Sequence, residues 1–324
     1  MIDICDKHDC CGCTGCASVC GSGAIKMTAD EEGFLYPRAD MSLCTGCGLC
    51  ERVCPIIARD KEQPASTPMK VLGLHNHNTD TWLKSSSGGV FQALAEHTIR
   101  QGGIVFGAEY NDDFAVVHRG ETTPEGILKF RGSKYVQSDL RGVYAEIRQL
   151  LRQNRKVMFS GVPCQVEGLK RFLIKSYDNL TTVDILCHGV PSPKIFSDYI
   201  SYIRRNTVFP LKSIFMKDKA FGWGYQNIRL FYSKGVTEFN TPVSNLWNKI
   251  FYGHVANRPS CHACRFKNLH RAGDLSIGDF WGIEKSHSGF FSDKGISLML
   301  INTDKGIALW HDIKDQFSYI ESDT

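Results

Sequence analysis

Long apolar runs are absent from this 324-residue chain. No stretch approaches the roughly 18 uninterrupted apolar residues of a membrane helix, so we expect no membrane span. The first residues, MIDICDKHDCCGC, lack the basic flank and apolar segment of a secretory signal. These absences predict a cytoplasmic protein.

Signatures of nucleotide and nucleic-acid binding are also missing. The chain has neither a G-x-G-x-x-G fingerprint nor a Walker A motif, which argues against standard NAD or ATP binding. No dense basic run is interleaved with aromatic residues, so we expect no nucleic-acid partner. Residues 1–60 carry nine acidic and five Lys or Arg residues, although the whole chain has a net charge of +4. This asymmetry is compatible with partner docking or with simple solvation.

Cysteine is abundant, with 14 copies. Eight of them form two runs spaced C-x2-C-x2-C-x3-C: Cys10, Cys13, Cys16 and Cys20, then Cys44, Cys47, Cys50 and Cys54. Bacterial ferredoxins bind two [4Fe–4S] clusters with this spacing, and the fourth cysteine of each run binds the other cluster. We assign a cluster-one set (Cys10, Cys13, Cys16, Cys54) and a cluster-two set (Cys44, Cys47, Cys50, Cys20). The alternatives are disulfides, which suit small secreted chains, and structural zinc, which leaves a fourth evenly spaced cysteine unexplained.

The cysteine runs and the later periodicity divide the chain. Residues 1–60 are predicted to form a ferredoxin-like 2[4Fe–4S] domain with a small hairpin over 24–27 and 33–37, and its thin core should depend on the clusters. A polar linker follows at 61–69. The remainder alternates strand and helix patterns, which predicts an α/β (α+β) body. We divide this body into an N-terminal domain at 70–160 and a C-terminal domain at 161–324.

Within the body, periodicity predicts individual elements. Strands are expected at 71–74, 104–108, 157–160, 183–187 and 297–302, with antiparallel strands over 213–238. One helix should open at Gly88 and Gly89, and another should be capped by Asp139 and reach residue 153. Further helices are expected at 165–174, at 194–204 and from residue 305.

Four further cysteines follow distinctive turns in the body. We call Cys164, Cys187, Cys261 and Cys264 the body set. Two of them follow predicted parallel strands, whose carboxyl ends collect cofactors at one sheet edge. A third [4Fe–4S] site, zinc and buried free cysteines all remain open from spacing alone. Cys5 and Cys11 receive no role.

Two glycine turns and one histidine complete the candidates. The turns contain Ser86, Ser87, Gly88 and Gly89, and Gly132, Ser133, Lys134 and Tyr135. Backbone N–H groups at such turns can face a phosphate, although serine- and glycine-rich helix starts are usually only caps. His188 neighbours Cys187, so it is a candidate for proton transfer, with a hydrogen-bonded structural role as the alternative.

Taken in order, these segments resemble the family of coenzyme F420 hydrogenase/dehydrogenase beta subunits. The matching segments are Cys-Cys-Gly-Cys (10–13), Ser-Ser-Gly-Gly (86–89), Gly-Ser-Lys-Tyr-Val (132–136), Gly-Val-Pro-Cys-Gln (161–165), Cys-His-Gly-Val-Pro-Ser (187–192), Cys-x2-Cys (261–264) and Gly-Asp-Phe-Trp-Gly (278–282). The resemblance implies a flavoprotein body with FAD and iron–sulfur clusters, and the body set as ligands of a third cluster. It makes 70–160 the domain with the flavin-binding turns and 161–324 the third-cluster and substrate side. It also implies flavin contacts from both glycine turns and from Gly161 and Pro163.

The resemblance yields three hypotheses. The first is an iron–sulfur flavoprotein oxidoreductase that passes electrons between its clusters and an FAD, with a small-molecule substrate and a redox partner such as a ferredoxin or dehydrogenase subunit. The second is an electron-transfer subunit without a substrate of its own. The third is a non-catalytic redox or iron sensor.

Overall fold

The computed structural model describes residues 2, 6–58 and 68–323; Cys5 and most of the predicted linker lie outside them. The strands are β1 (Ile25–Ala29), β2 (Leu35–Ala39), β3 (Lys70–Asn76), β4 (Ile104–Tyr110), β5 (Val116–Glu121), β6 (Val157–Gly161), β7 (Leu180–Ile185), β8 (Leu211–Asp218), β9 (Asn227–Tyr232), β10 (Thr237–Phe239), β11 (Leu275–Asp279), β12 (Ser297–Ile301) and β13 (Phe317–Ser322). The α-helices are α1 (Gly15–Val19), α2 (Leu49–Arg52), α3 (Thr79–Lys84), α4 (Val90–Arg100), α5 (Pro124–Ile127), α6 (Val143–Arg152), α7 (Pro163–Leu173), α8 (Pro193–Arg205), α9 (Pro242–Tyr252), α10 (Pro259–His262), α11 (Ile283–Ser286) and α12 (Asp304–Ile313). None of these described helices has the length and apolar character needed to cross a bilayer.

An eight-stranded sheet in the order β13-β3-β12-β11-β7-β6-β4-β5 forms the centre of the body. Strands β4, β6, β7 and β11 run parallel, and β3 shares their direction because both β3 and β11 are antiparallel to β12. The carboxyl ends of these five strands therefore lie at one edge, which we call the carboxyl edge. The predicted boundary between residues 160 and 161 falls inside this single sheet, at the end of β6.

Helices cover both faces of the sheet because side chains alternate along each strand. Val105 of β4 packs in a hydrophobic cluster with α4 and α12, whereas its neighbour Phe106 packs with α6 and α7. Both side chains are 0% exposed. The body is thus a mixed α/β fold with the sheet as its middle layer.

A second sheet, in the order β10-β9-β8, packs against α8 and α9. Trp247 of α9 is fully buried in this small core. Lys217 of β8 reaches the carboxyl edge, where its Nζ lies 2.7 Å from Oδ2 of Asp279 at the end of β11. The small sheet therefore flanks the edge at which cofactors collect in such folds.

The ferredoxin-like domain, residues 6–58, contains the predicted hairpin: β1 pairs with β2 in antiparallel register, with Ile25 opposite Ala39. Its hydrophobic cluster consists largely of cysteines, with Ile25 and Ile56 among the few aliphatic members. A core with so few apolar side chains provides little burial free energy. The domain therefore has the composition expected if bound clusters stabilise it.

Two local predictions were wrong. Asp139 does not cap α6, because its carboxylate accepts a hydrogen bond from the Arg141 backbone at 2.9 Å, and Gly142, at φ +86°, precedes the helix instead. Strand β7 ends at Ile185, so Cys187 lies in the following loop rather than in the strand. The sequence analysis also missed β5, an edge strand with few apolar residues.

Candidate functional site

The two cysteine runs share one backbone conformation. Gly12 and Gly46 have φ values of +69° and +68°, and Thr14 and Gly48 have values of +65° and +71°. Thr14 and Gly48 directly precede α1 and α2, respectively. Each run thus turns tightly at its first three cysteines and then enters a short helix, as the predicted crossing of the fourth cysteine requires.

The cluster-one set lines a single cavity in the ferredoxin-like domain. Apolar Met27, Pro37 and Ile56 form part of the same wall, which limits access of water. Burial raises the pKa of Cys10 to about 11, and burial followed by the nearby Cys10 and Cys54 thiols raises the pKa of Cys16. Thiolates at these positions therefore need a positive partner, and iron supplies one.

The cluster-two set lies nearer the surface. Cys47 is exposed, Cys20 and Cys44 are half-buried, and Cys50 is buried, with its sulfur accepting a hydrogen bond from the Ile2 backbone at 3.2 Å. This second predicted site is therefore bounded by solvent on one side.

The body set converges from three separate segments. Cys164 lies in the first turn of α7, Cys187 in the loop after β7, and Cys261 and Cys264 in and just after α10. The surrounding protein and the nearby Cys261 and Cys264 thiols raise the pKa of Cys187, although this residue is exposed at one side. A hydrogen bond donated to Cys11, then burial and the Cys187 and Cys261 thiols, raises the pKa of Cys164. The four thiols therefore share one region at the carboxyl edge.

Cys11, which the sequence analysis left without a role, lies between the domain and the body. Its thiol hydrogen-bonds with those of Cys13 and Cys164, and these bonds lower the pKa of Cys11. Helix α7 packs directly on the same turn: a Cβ added at Gly168 would lie 2.9 Å from the Cys13 sulfur. The cluster-one set and the body set are therefore adjacent, and the Cys-Cys doublet contained no pattern that indicated this.

Within residues 6–58 and 68–323, no three His, Cys, Asp or Glu side chains are arranged as ligands of one metal ion. A cubane differs from such a site because its four thiolates surround several iron atoms. The ligand assignments for all three sets therefore stay predictions.

The two glycine turns predicted to contact a flavin meet in the fold. The Ser133 backbone N–H donates to Ser86 Oγ at 3.0 Å, and the two hydroxyl oxygens are also 3.0 Å apart. In the described part of the chain, Ser87 Oγ and Arg131 Nε are buried without a hydrogen-bond partner. The joined turns thus present polar groups that a bound ligand would satisfy.

The glycines of these segments have structural roles. A Cβ at Gly88 would lie 2.2 Å from the Leu74 carbonyl oxygen, and Gly89, at φ +91°, precedes α4. Gly161 packs closely on Gln165, at 2.9 Å from an added Cβ, and Pro163 begins α7. Gly161 and Pro163 therefore shape the turn that presents the first cysteine of the body set.

Lys134 and Tyr135 continue the second turn. Lys134 Nζ donates to the carbonyls of Lys129, at 2.8 Å, and Arg131, at 3.0 Å, and burial lowers its pKa to about 7. The Tyr135 ring stacks on Phe251 with centroids 4.2 Å apart. The lysine fixes the turn, and the tyrosine connects it to α9.

His188 lies in the same aromatic group. Its ring centroid is 5.3 Å from that of Phe251 and 4.5 Å from that of His254. Burial, followed by the charge of His254, lowers the pKa of His188. This imidazole is thus mainly neutral near pH 7, and its role in proton transfer stays a prediction.

The sequence analysis did not single out a charged and aromatic group at the carboxyl edge. Lys217 Nζ lies 4.6 Å from the Trp281 ring centroid, and Trp281 stacks on Trp223 at 4.4 Å. Lys219 Nζ donates to the Ser87 carbonyl at 3.1 Å, and burial lowers the pKa of Lys219 to about 7. The Gly-Asp-Phe-Trp-Gly segment was the one sequence pattern that could have indicated this group, because it contains Trp281.

Comparisons with known proteins agree with this architecture. Residues 154–323 match the family model for the C terminus of the coenzyme F420 hydrogenase/dehydrogenase beta subunit, and residues 9–58 match a 4Fe-4S dicluster domain. The chain is 25% identical to the F subunit of the F(420)H(2) dehydrogenase of Methanosarcina mazei, over 84% of this chain and 76% of that protein.

Two further relatives extend the comparison. A coenzyme F420-dependent sulfite reductase of Methanocaldococcus jannaschii is 28% identical over 60% of this chain, which spans only 30% of that protein. The F420-reducing [NiFe] hydrogenase complex of Methanosarcina barkeri contains a chain with a similar fold: the TM-score is 0.53 at 19% identity, covering 80% of this chain and 84% of that one. Because the beta-subunit model matches more than half of the sequence, the chain belongs to the family of coenzyme F420 hydrogenase/dehydrogenase beta subunits.

Proposed function

We propose that this protein is an iron–sulfur flavoprotein oxidoreductase that exchanges electrons between its dicluster domain and a small two-electron carrier. The observation that carries the proposal is the contact between Cys11 and Cys164. It places the cluster-one set directly beside the body set at the carboxyl edge. Thiol groups thus extend from the surface of the ferredoxin-like domain into the body.

The chemistry of the three thiol sets fits iron–sulfur clusters. Burial raises the pKa of Cys10 and Cys261, so binding the cationic core of a cluster is what would favour the thiolate there. The cubane supplies one-electron transfer when it is bound. The protein positions the ligands: α7 brings Cys164 to the domain, and α10 brings Cys261 to Cys164.

The joined glycine turns fit a flavin. Ser87 Oγ and Arg131 Nε offer buried polar atoms without partners in the described residues, and Ser86 and Ser133 place two hydroxyl groups beside them. FAD supplies the exchange between single electrons and hydride when it is bound. Lys134 holds the backbone of this site through hydrogen bonds to three carbonyls.

The carrier is proposed from the chemistry of the edge and from the relatives. Trp281, at 52% exposure, stacks on Trp223 at this edge, which suits a planar ring system. Coenzyme F420 occurs in the names of the sulfite reductase and of the hydrogenase complex. We therefore propose a deazaflavin of this kind as the carrier.

A second candidate function is electron transfer to a partner subunit without a substrate at this chain. The exposed Cys47 favours it, since a cluster bound there would lie at the surface. Exposed Met41 and Leu43 are close in sequence, at 68% and 48% exposure. A redox partner that docks on this side would reach the cluster-two set directly.

The test begins with anaerobic purification and measurement of iron, acid-labile sulfide, zinc and flavin per chain. We expect roughly twelve irons and one FAD. Cys164→Ala should lose about four irons, whereas Cys11→Ala, which changes the adjacent non-ligand thiol, should keep them all. Zinc in place of iron would overturn the proposal.

The second step measures electron transfer from reduced coenzyme F420 to a viologen dye. The wild-type chain and Cys11→Ala should catalyse it, and Cys164→Ala should lose more than 90% of the rate while retaining flavin, since the path into the domain is interrupted. Clusters without flavin, and reaction with the dye but with no small molecule, would favour the second candidate function.

A further inference from the structure

A buried arginine connects the ferredoxin-like domain to the body. The side chain of Arg258 is 0% exposed. Its Nε donates to the Cys10 carbonyl at 2.6 Å and its Nη2 to the Leu35 carbonyl at 2.9 Å, both in the domain. Its Nη1 donates to Gln137 Oε1 of the body at 3.0 Å. One guanidinium thus bridges two parts of the fold that are far apart in sequence.

Neutral groups surround this charge. In the described residues no carboxylate lies within salt-bridge distance of Arg258, and its hydrogen-bond acceptors are two backbone carbonyls and an amide. The Tyr36 ring centroid lies 4.2 Å from the guanidinium carbon. This cation–π contact offsets part of the free energy of hydration that the buried charge has lost. A buried cation with neutral partners alone is costly, so a compensating negative charge is required nearby.

Predicted ligands of two clusters, Cys10 and Cys261, lie close enough to Arg258 for its charge to act on their thiols. The guanidinium binds the backbone of Cys10, the first member of the cluster-one set. A Cβ added at Gly12, inside the same turn, would lie 2.7 Å from Nη1. On the body side, the Arg258 carbonyl accepts a hydrogen bond from the Cys261 backbone at 2.8 Å. Arg258 therefore contacts the turn of the cluster-one set with its side chain, and its backbone begins the turn that carries Cys261 of the body set.

We propose that Arg258 is the shared internal counter-ion of the two clusters held by the cluster-one set and the body set. The inference rests on the proposed function, because it requires clusters at both positions. A cubane bound by four thiolates is anionic and becomes more so on reduction. A fixed cation in a low-dielectric interior stabilises the reduced form more strongly. Arg258 thereby raises both reduction potentials above the values that the same two sites would have without its charge.

The experiment is an anaerobic redox titration monitored by electron paramagnetic resonance, with iron measured in every sample. Arg258→Met should lower the potentials of the two adjacent clusters by a tenfold or greater change in the reduced-to-oxidised ratio, about 59 mV for a one-electron couple. The remaining cluster, at the cluster-two site, should keep its potential. Arg258→Lys should show less than half of the shift, because it retains the charge.

Two more variants keep the test decisive. Gln137→Glu leaves the arginine in place but pairs it with a carboxylate, so it should lower the same two potentials even if Arg258→Met does not fold. Arg205→Gln removes an exposed charge, which solvent screens, and should change none of them. Full iron content with unshifted potentials in both Arg258→Met and Gln137→Glu would overturn the inference. A wild-type chain without iron would instead overturn the proposed function.

Discussion

The two cysteine runs have the same spacing and nearly the same backbone, but their surroundings differ. The first run packs on α7 and on Arg258, and its Cys13 and Cys16 are buried. In the second run Cys47 is exposed, and a Cβ at Gly46 would meet no atom within 4 Å. A repeated motif therefore determines how a cluster is held, whereas the neighbouring body determines what surrounds it.

Because of this difference, one predicted cluster site faces solvent and the other faces the body. A cluster bound by the second run would lie at the surface, where a protein partner could approach. A cluster bound by the first run would lie against the body, beside Cys11 and Cys164. Burial, charge and hydrogen bonding to sulfur set cluster potentials, so we expect the two sites to differ in potential despite their equal ligands.

The largest expected effect comes from removing one ligand in each run. Cys16→Ala should lose the cluster-one iron and unfold residues 6–58, because the domain core consists largely of cysteines; structural metal sites contribute on the order of 10 kcal/mol to folding. Cys47→Ala should lose the cluster-two iron with a smaller loss of structure. Iron analysis and hydrogen exchange over residues 6–58 measure both. Equal loss of protection in the two variants would show that the runs are equivalent.

A smaller effect separates the two matched glycines. Gly12→Ala and Gly46→Ala share the strain of a positive φ, about 1–2 kcal/mol. Only the alanine at residue 12 collides, since its Cβ would lie 2.6 Å from Gln137 Nε2 and 2.7 Å from Arg258 Nη1, so it should cost about 1–3 kcal/mol more. Anaerobic denaturant unfolding of both iron-loaded variants gives the difference. Identical midpoints would contradict the close packing of the first run on the body.

The smallest effect concerns the second matched pair of turn residues, Thr14 and Gly48. Thr14 has φ +65° and a buried hydroxyl without a partner in the described residues, whereas Gly48 occupies the same position in the second run. Thr14→Gly should stabilise the chain by less than about 1 kcal/mol, because relief of strain is partly offset by entropy of the unfolded state. Gly48→Ala should destabilise it by about 1–2 kcal/mol. Thermal unfolding under anaerobic conditions tests whether the two stability changes have opposite signs. A loss of stability in Thr14→Gly would contradict backbone strain at Thr14.

Local patterns predicted much of the fold. The hairpin of β1 and β2 was predicted from two short segments between the cysteine runs, as expected of a two-cluster module. The start of α4 was predicted from glycines before residues with apolar side chains at helical spacing. Strand β5 was missed because its segment, VVHRGE, has few apolar residues; as an edge strand it is covered less than its neighbours. The predicted cap at Asp139 was wrong because a nearer turn uses that carboxylate.

The candidate site was predictable where it depended on cysteine spacing, as in the two runs, or on strand ends. The meeting of the body set at the carboxyl edge follows from parallel strands that precede two of its cysteines. The contact of Ser86 with Ser133, by contrast, spans 47 residues, and that of Arg258 with Cys10 spans 248. Neither has a local pattern, because each exists only after separate segments have packed together.

The position of β3 has a consequence for the order of folding. This strand follows the ferredoxin-like domain directly in the described chain, yet its only partners in the sheet are β12 and β13. It therefore has no neighbouring strand until residues 297–322 have been synthesised, and pairings so distant in sequence form slowly. During translation the cysteine-rich domain emerges first and precedes the completed body that buries Arg258. Clusters can thus be inserted over a long interval before the ferredoxin-like domain packs against the completed body.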